Sequence, residues 1–175
     1  MFFSLGQRLR TLLAGPTPPL AMFMQNQLTP FTCGLACIES VSVDFGQPIS
    51  QPQMLIRYKR ALIAEATDGK NFGATSNQLM QQIWQDLGFK GEWKRNHHIT
   101  EIRENVLGKL QPKQAILISS FFQRTAFHCC RYFGMKDNDT IFALVPLFYE
   151  EQPRMMDIAL SALVEWDFEY ALISV

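Results

Sequence analysis

The stretch of residues 25–46 constrains the fold of this 175-residue chain most, because it joins a loop, a cysteine and an apolar helix pattern. Cys33 follows a proline-containing loop, and apolar residues recur after it at roughly helical spacing. These residues are Leu35, Ile38, Val41 and Phe45. Gly46 comes next, at a place where the C-terminus of a helix favours glycine. The pattern predicts a helix that begins at Cys33.

A cysteine at the start of a helix is suited to nucleophilic chemistry. The unpaired backbone N–H groups and the helix dipole favour the thiolate there, so we expect a lowered pKa for the Cys33 thiol. Gly34 has no side chain, which predicts room for a substrate backbone beside the sulfur. Gln27 precedes Cys33 by six residues and offers an amide N–H from the loop. A thiol with a nearby amide donor meets the needs of acyl chemistry, although a free cysteine is also often a small buried core residue.

The spacing Gln-x5-Cys-Gly-Leu-Ala-Cys, which Gln27 begins and residues 33–37 complete, resembles the papain-like cysteine peptidases that cut double-glycine leader peptides from bacteriocins. The resemblance implies an α+β fold in which N-terminal helices, with the cysteine at a helix N-terminus, pack on a C-terminal antiparallel sheet. It also implies that Cys33 is the nucleophile and that Gln27 lines the oxyanion hole. The segment of residues 73–89 is similar to a helical segment of the same family.

The rest of the chain fits this order of helices and strands. Cap signals predict helices that begin near Ser50 and at Thr75 or Ser76, and a further helix covers about residues 100–110. The second half changes to short apolar runs that predict strands, with a short helix over residues 161–166. The strands are expected at about residues 89–93, 115–119, 126–135, 140–148 and 170–175. Helices followed by an antiparallel sheet indicate an α+β domain.

His128 lies on the first strand of the expected hairpin, whose turn spans residues 136–139. In the leader-peptidase family the catalytic His begins a strand at this point in the order of elements. The resemblance therefore gives His128 the role of general base. A lone His in an apolar strand is otherwise often a hydrogen-bonded core residue.

The third catalytic group of that family is an Asp near the end of the next strand, and this sequence departs from the pattern there. Leu144 stands near the expected position, and Val145-Pro146 replaces Asp-Pro. Glu150 lies just beyond. We therefore expect a Cys–His dyad in which His128 is held by a backbone carbonyl, a water or Glu150.

Composition excludes several other classes of protein. Hydrophobic residues make up 47% of the chain, which indicates one globular domain. Lys+Arg and Asp+Glu number 16 each, so no charge excess supports nucleic-acid binding or attraction to an anionic membrane. The four cysteines form a helical-turn pair and a vicinal pair, unlike the framework of a disulfide-rich secreted protein. No apolar run approaches the ~20 residues of a transmembrane helix.

Residues 1–20 are interpreted as an N-terminal appendage and linker, and residues 21–175 as the peptidase-like domain. The appendage combines a short amphipathic pattern with the linker Gly15–Pro19. Its arginines lie among the apolar residues, unlike those of a signal peptide. We expect a cytoplasmic bacterial protein, or one that is delivered to another cell as an effector.

These features predict a cysteine peptidase-like hydrolase that acts on a peptide or protein substrate through a thioester at Cys33, without a cofactor or a metal. Two alternatives stay open. The same residues would serve another thiol acyl transfer, as in a deamidase, amidase or transglutaminase-type toxin or effector, and the domain could also be a non-catalytic peptide-binding relic of the fold. A zinc site from Cys33, Cys37, His128 and Cys130 has suitable ligand types, but the resemblance explains Cys37 better as packing.

Overall fold

The computed structural model describes residues 24–67, 75–95, 99–122, 126–147, 153–165 and 168–175. The expected appendage of residues 1–20 lies outside these ranges, and so does Glu150. The division into appendage and domain therefore stays a prediction. Within the described ranges, no helix is long and apolar enough to cross a membrane.

The ends of several helices follow local sequence signals. The described helices are α1 (Cys33–Asp44), α2 (Gln51–Arg57), α3 (Lys59–Thr67), α4 (Asn77–Asp86), α5 (Ile99–Asn105) and α6 (Leu160–Glu165), with a 3-10 turn at Leu107–Lys109. Ser50 caps α2 in a reciprocal pair with Gln53, and the Ser76 side chain accepts from the N–H of Leu79 at the start of α4. Gly46 ends α1 with a φ of 76°, in the left-handed region that glycine adopts without strain. The predicted start of α1 at Cys33 is confirmed.

In the part of the chain that the structure describes, the sheet has six strands, and every neighbouring pair is antiparallel. The strands are β1 (Trp93–Arg95), β2 (Gln114–Phe122), β3 (Ala126–Met135), β4 (Thr140–Val145), β5 (Arg154–Ala159) and β6 (Glu169–Ser174). They lie in the order β1-β6-β2-β3-β4-β5. Strand β5 was not expected from the sequence, because its polar Arg154 and Asp157 interrupt the apolar pattern. The α+β class with an antiparallel sheet is confirmed.

Two apolar cores lie on opposite faces of the sheet, as the alternation along β2 shows. Ala115 and Leu117 belong to the core shared with α1, α2 and α4. Ile116 and Ile118 belong to the core shared with α5 and α6. The first core is called the α1 core and the second the α6 core below.

A buried ion pair fixes the far end of α1 to β3. Arg131 of β3 pairs with Asp44 at the end of α1 and also donates to the hydroxyl of Ser40. The Arg131 and Asp44 side chains are 6% and 1% exposed. The helix that begins at Cys33 is thus held against the strand that carries His128.

Candidate active site

The loop before α1 is closed by its own threonines. The N–H of Thr29 donates to Oγ1 of Thr32 at 3.0 Å, and the N–H of Thr32 donates back to the Thr29 carbonyl at 3.3 Å. The Thr32 side chain is therefore turned toward the loop and makes no capping hydrogen bond to α1. This arrangement leaves the first N–H groups of α1 facing the Cys33 thiol, where the backbone of Gly34 and of Cys33 itself lowers the pKa.

The Cys33 thiol lies against the backbone of Cys129, the residue after His128. A backbone hydrogen bond from Cys129 lowers the pKa of Cys33, so its N–H is the donor to the sulfur. One helical turn later, the Cys37 thiol donates to the Cys129 carbonyl at 3.5 Å. The N–H and C=O of one strand residue point to the same side, so α1 lies along the edge of β3 at this point.

The thiol is buried, and this reverses one expectation from the sequence. Cys33 is 3% exposed, and burial raises the pKa of its thiol to about 12 despite the nearby N–H groups. The prediction of a lowered pKa is wrong for this state of the protein, because desolvation of the thiolate outweighs the helix N-terminus. The thiol is neutral at pH 7.

Gly34 serves packing between helices, and the expected room for a substrate is filled. A Cβ built at Gly34 would lie 2.2 Å from Sδ of Met80, which belongs to α4. The prediction that this glycine leaves space for a substrate backbone is therefore wrong. The glycine instead lets α4 approach the start of α1 closely.

Gln27 is buried in the loop, with 7% of its surface exposed. Its Oε1 atom has no hydrogen-bond partner within the described part of the chain. Leaving a buried amide oxygen unpaired costs about 1–3 kcal/mol. The backbone of its neighbours Asn26 and Leu28 is held by the side chain of Gln51.

His128 lies on β3, directly opposite Ser120 of β2. Its imidazole hydrogen-bonds to the backbone of Pro146, which has no N–H, so the carbonyl accepts and the ring donates. Burial lowers the pKa of His128 and this bond raises it, with burial the larger effect. The ring is therefore neutral at pH 7, and its partner is a backbone carbonyl, one of the three groups expected from the sequence.

One further bond joins the Gln27 loop to the segment that holds His128. The N–H of Leu147, next to Pro146, donates to Oδ1 of Asn26 at 2.9 Å. Asn26 directly precedes Gln27. The structure thus brings the loop of Gln27, the start of α1 and the His128 region of β3 to one place.

The side chains along β3 alternate between the two cores. Cys129 packs in the α1 core, and Cys130 packs in the α6 core. His128 shares its face with Cys130 by this alternation. Cys33 packs in the α1 core with Cys129 and contacts the backbone of that residue.

Leu144 is not in the position of a third catalytic group. It pairs with Arg131, whose side chain reaches α1, so Leu144 faces away from the side of His128. Strand β4 ends at Val145, and the register of Arg131 with Leu144 would bring Leu147 opposite His128 if it were extended three residues further. Leu147 lies three residue steps beyond Leu144, which is about 10 Å along an extended strand. The expectation that Leu144 takes this place is wrong.

No protein-family model matches the chain, and no curated protein matches it significantly. Among solved structures, the chain is similar to the peptidase domain of Streptococcus ComA, a bi-functional ABC transporter involved in a quorum-sensing pathway. The TM-score is 0.60 at 16% identity, and the match covers 87% of this chain and 98% of that domain. Pseudomonas avirulence protein AvrPphB matches with a TM-score of 0.44 at 13% identity, over 89% of this chain and 98% of that one.

The chain has a papain-like fold. The resemblance that the cysteine motif implied is confirmed at the level of the fold. In this papain-like domain, α1 and β3 are the elements that carry Cys33 and His128. Their roles in catalysis stay predictions.

Two polar residues of the papain-like domain were missed from the sequence. Asn26 bonds to Leu147, and Gln51 bonds to the backbone on both sides of Gln27. No sequence signal distinguishes Gln51 from other helix-start glutamines. Asn26 could have been noticed, since it adjoins Gln27 in the motif. Within the described residues, no group of three or more His, Cys, Asp or Glu is placed to hold a metal ion.

Proposed function

We infer that the protein is a thiol peptidase that cleaves a peptide or protein substrate with Cys33 as nucleophile. The observation that carries the proposal is the contact between the Cys33 thiol and the Cys129 backbone, next to a neutral His128 whose ring is held by Pro146. The likeness in fold to a peptidase domain supports it. Gln27 and the Cys33 N–H are the proposed donors to the oxyanion.

The proposed reaction has two acyl steps. The Cys33 sulfur attacks the scissile carbonyl carbon as His128 takes the thiol proton, and the carbonyl oxygen becomes an oxyanion. The oxyanion collapses to a thioester, and His128 gives its proton to the leaving amine. Water then attacks the thioester with His128 as base, which releases the acid and restores the thiol.

The protonation states of Cys33 and His128 favour proton transfer during the attack on the substrate over an ion pair formed beforehand. Burial raises the pKa of Cys33 to about 12 and lowers that of His128, so both groups are neutral before substrate binds. Forming thiolate and imidazolium first would oppose both shifts. The Pro146 carbonyl is the group that stabilises the imidazolium as it forms, in place of a carboxylate.

The surface beside the thiol suits an apolar peptide with small residues at the cleaved bond. Leu28 and Phe31 flank the loop and are 46% and 49% exposed. Large exposed apolar side chains are suited to contact apolar residues of a partner. Cys33 is nearly covered, so small residues such as glycine approach it best. A double-glycine site after apolar residues, which the sequence resemblance implies, meets both demands.

The test is cleavage of a synthetic peptide that carries apolar residues followed by Gly-Gly and a C-terminal extension. Mass spectrometry should show cleavage after the second glycine by the wild-type protein. Cys33→Ala should abolish it. Cys130→Ala is the matched control, because Cys130 is also a buried free thiol but lies in the α6 core. A Cys33→Ala variant that cleaves like the wild type would contradict the proposal.

A binding domain without turnover is the second candidate, favoured by the burial of Cys33. It predicts that the same peptide binds but is not cut, and that Cys33→Ala binds as tightly as the wild type. A deamidase or transamidase would instead leave the peptide chain intact and, in a peptide that carries a glutamine in its extension, change the mass of that glutamine. Mass spectra distinguish cleavage and glutamine modification from no reaction, and a binding measurement with the uncut peptide identifies a binding domain.

A further inference from the structure

The buried amide of Gln51 holds the backbone on both sides of Gln27. Gln51 is the first residue of α2, and its side chain is fully buried, with 0% exposed. Its Oε1 accepts from the N–H of Leu28 at 3.1 Å, and its Nε2 donates to the Asn26 carbonyl at 2.9 Å. Both partners are immediate chain neighbours of Gln27. One side chain therefore fixes the direction in which the Gln27 side chain leaves its loop.

A second donated bond ties this arrangement to the helix of the nucleophile. Nε2 of Gln51 also donates to Oε2 of Glu39 at 3.0 Å. Glu39 is 5% exposed and lies in α1, on the same helix as Cys33. A bond to a buried carboxylate is stronger than one between neutral groups. The loop of Gln27 is thus positioned relative to the helix that carries Cys33.

Gln51 has no donor left for a ligand. A glutamine amide carries two N–H donors, and Gln51 has two acceptors for them in Asn26 and Glu39. Its oxygen already accepts from Leu28. Together with its 0% exposure, these bonds favour a role through the loop over direct contact with substrate.

We propose that Gln51 is a positioning residue that sets the distance between the Gln27 amide and the oxygen of the acyl intermediate on Cys33. This inference rests on the proposed function. A misplacement of about 1 Å in such a site can cost on the order of 10²-fold in rate. Loss of Gln51 should therefore weaken oxyanion binding through Gln27 without removing any group that touches substrate.

The probe is the peptide aldehyde acetyl-glycyl-glycinal, which has no side chains and so can approach a covered thiol. The Cys33 sulfur adds to the aldehyde carbon, a C–S bond forms and the C=O π bond breaks. The thiol proton ends on the oxygen, and nothing leaves. The oxygen of this adduct occupies the oxyanion position. Iodoacetamide alkylates the same thiol but forms no such oxygen, and it reports access to Cys33 alone.

Gln51→Met keeps the length of the side chain and removes its hydrogen bonds. We expect it to weaken aldehyde binding by about 10- to 100-fold, within the range for loss of an oxyanion donor. The rate of Cys33 alkylation should stay near that of the wild type. Gln53→Met is the matched control: Gln53 lies two residues further in α2, is exposed and bonds to Ser50 at the helix cap. It should bind the aldehyde like the wild type.

A double variant separates positioning from general support of the fold. In a Gln27→Ala background, Gln51→Met should cause no further loss of aldehyde binding. The inference would be overturned if Gln51→Met weakened aldehyde binding in that background as much as it does in the wild type. It would also be overturned if Gln51→Met slowed alkylation of Cys33 by the factor by which it weakens aldehyde binding. If Gln51→Met does not fold, Glu39→Gln tests the same arrangement with an isosteric change. It should weaken aldehyde binding by a smaller factor, and binding equal to the wild type would overturn the inference.

The failure of this inference differs from the failure of the proposed function. A wild-type protein that forms no aldehyde adduct at Cys33 would contradict both. A wild-type protein that forms the adduct, with Gln51→Met binding equally well, would contradict the role of Gln51 alone. The proposed nucleophile would then stand.

Discussion

Replacing Arg131 by Met should destabilise the protein strongly, because it leaves a buried carboxylate without its partner. Asp44 is 1% exposed and Arg131 is 6% exposed, so the pair is not a surface ion pair worth at most about 1 kcal/mol. Removing one partner of a buried pair typically costs about 3–5 kcal/mol. In a domain of this size each kcal/mol lowers Tm by about 2–4 °C, so we expect a fall of roughly 6–20 °C.

The assay is urea denaturation of four proteins: the wild type, Arg131→Met, Asp44→Leu and the double variant. Replacing both members of a buried pair by apolar residues is often neutral, so the double variant should recover most of the lost stability. A cost below about 1 kcal/mol for Arg131→Met would refute the reasoning, because it is the value of an exposed pair. A double variant no more stable than Arg131→Met would refute it as well.

Three further predictions concern the site itself. Gly34→Ala should lower the unfolding free energy by about 1–3 kcal/mol, since the new methyl group meets Met80. A thermal melt with a Tm equal to that of the wild type would contradict this expectation. Leu147→Asp should raise the cleavage rate, since the extended register of β3 and β4 places this carboxylate opposite His128, whereas Leu144→Asp should not. A higher cleavage rate for Leu144→Asp than for Leu147→Asp would contradict the argument from register. The lowered pKa of His128 means that the unfolded chain takes up its proton first as pH falls. Stability should therefore decrease below about pH 6.5, and His128→Gln should reduce this decrease in urea midpoints measured across that pH.

The sequence predicted the fold where local signals and periodicity agree. The start of α1 at Cys33, the cap at Ser50 and the hairpin that carries His128 are confirmed. Each depends on a few neighbouring residues, so the sequence contains the information directly. Strand β5 was missed because its pairing partner β4 stabilises it more than its own mixed pattern does.

The environment of the candidate site could not be predicted in the same way. The pKa of Cys33 depends on burial by elements far along the chain, and Met80 fills the space beside Gly34 from α4. The residue opposite His128 depends on the turn and on a bulge between Tyr132 and Gly134, which shifts the pairing of β3 with β4. Long-range packing and register decide these features, and neither is visible in a short motif.

Trapping of an acyl-enzyme tests the central claim most directly, that Cys33 and His128 act together. The protein would be incubated with the active ester 4-nitrophenyl acetate, and the acetylated residue would be mapped by mass spectrometry. We expect acetylation at Cys33 in the wild type, and its loss in a folded His128→Ala variant. Acetylation of Cys33 at the same rate in His128→Ala, or acetylation of Cys129 or Cys130 in its place, would contradict the claim.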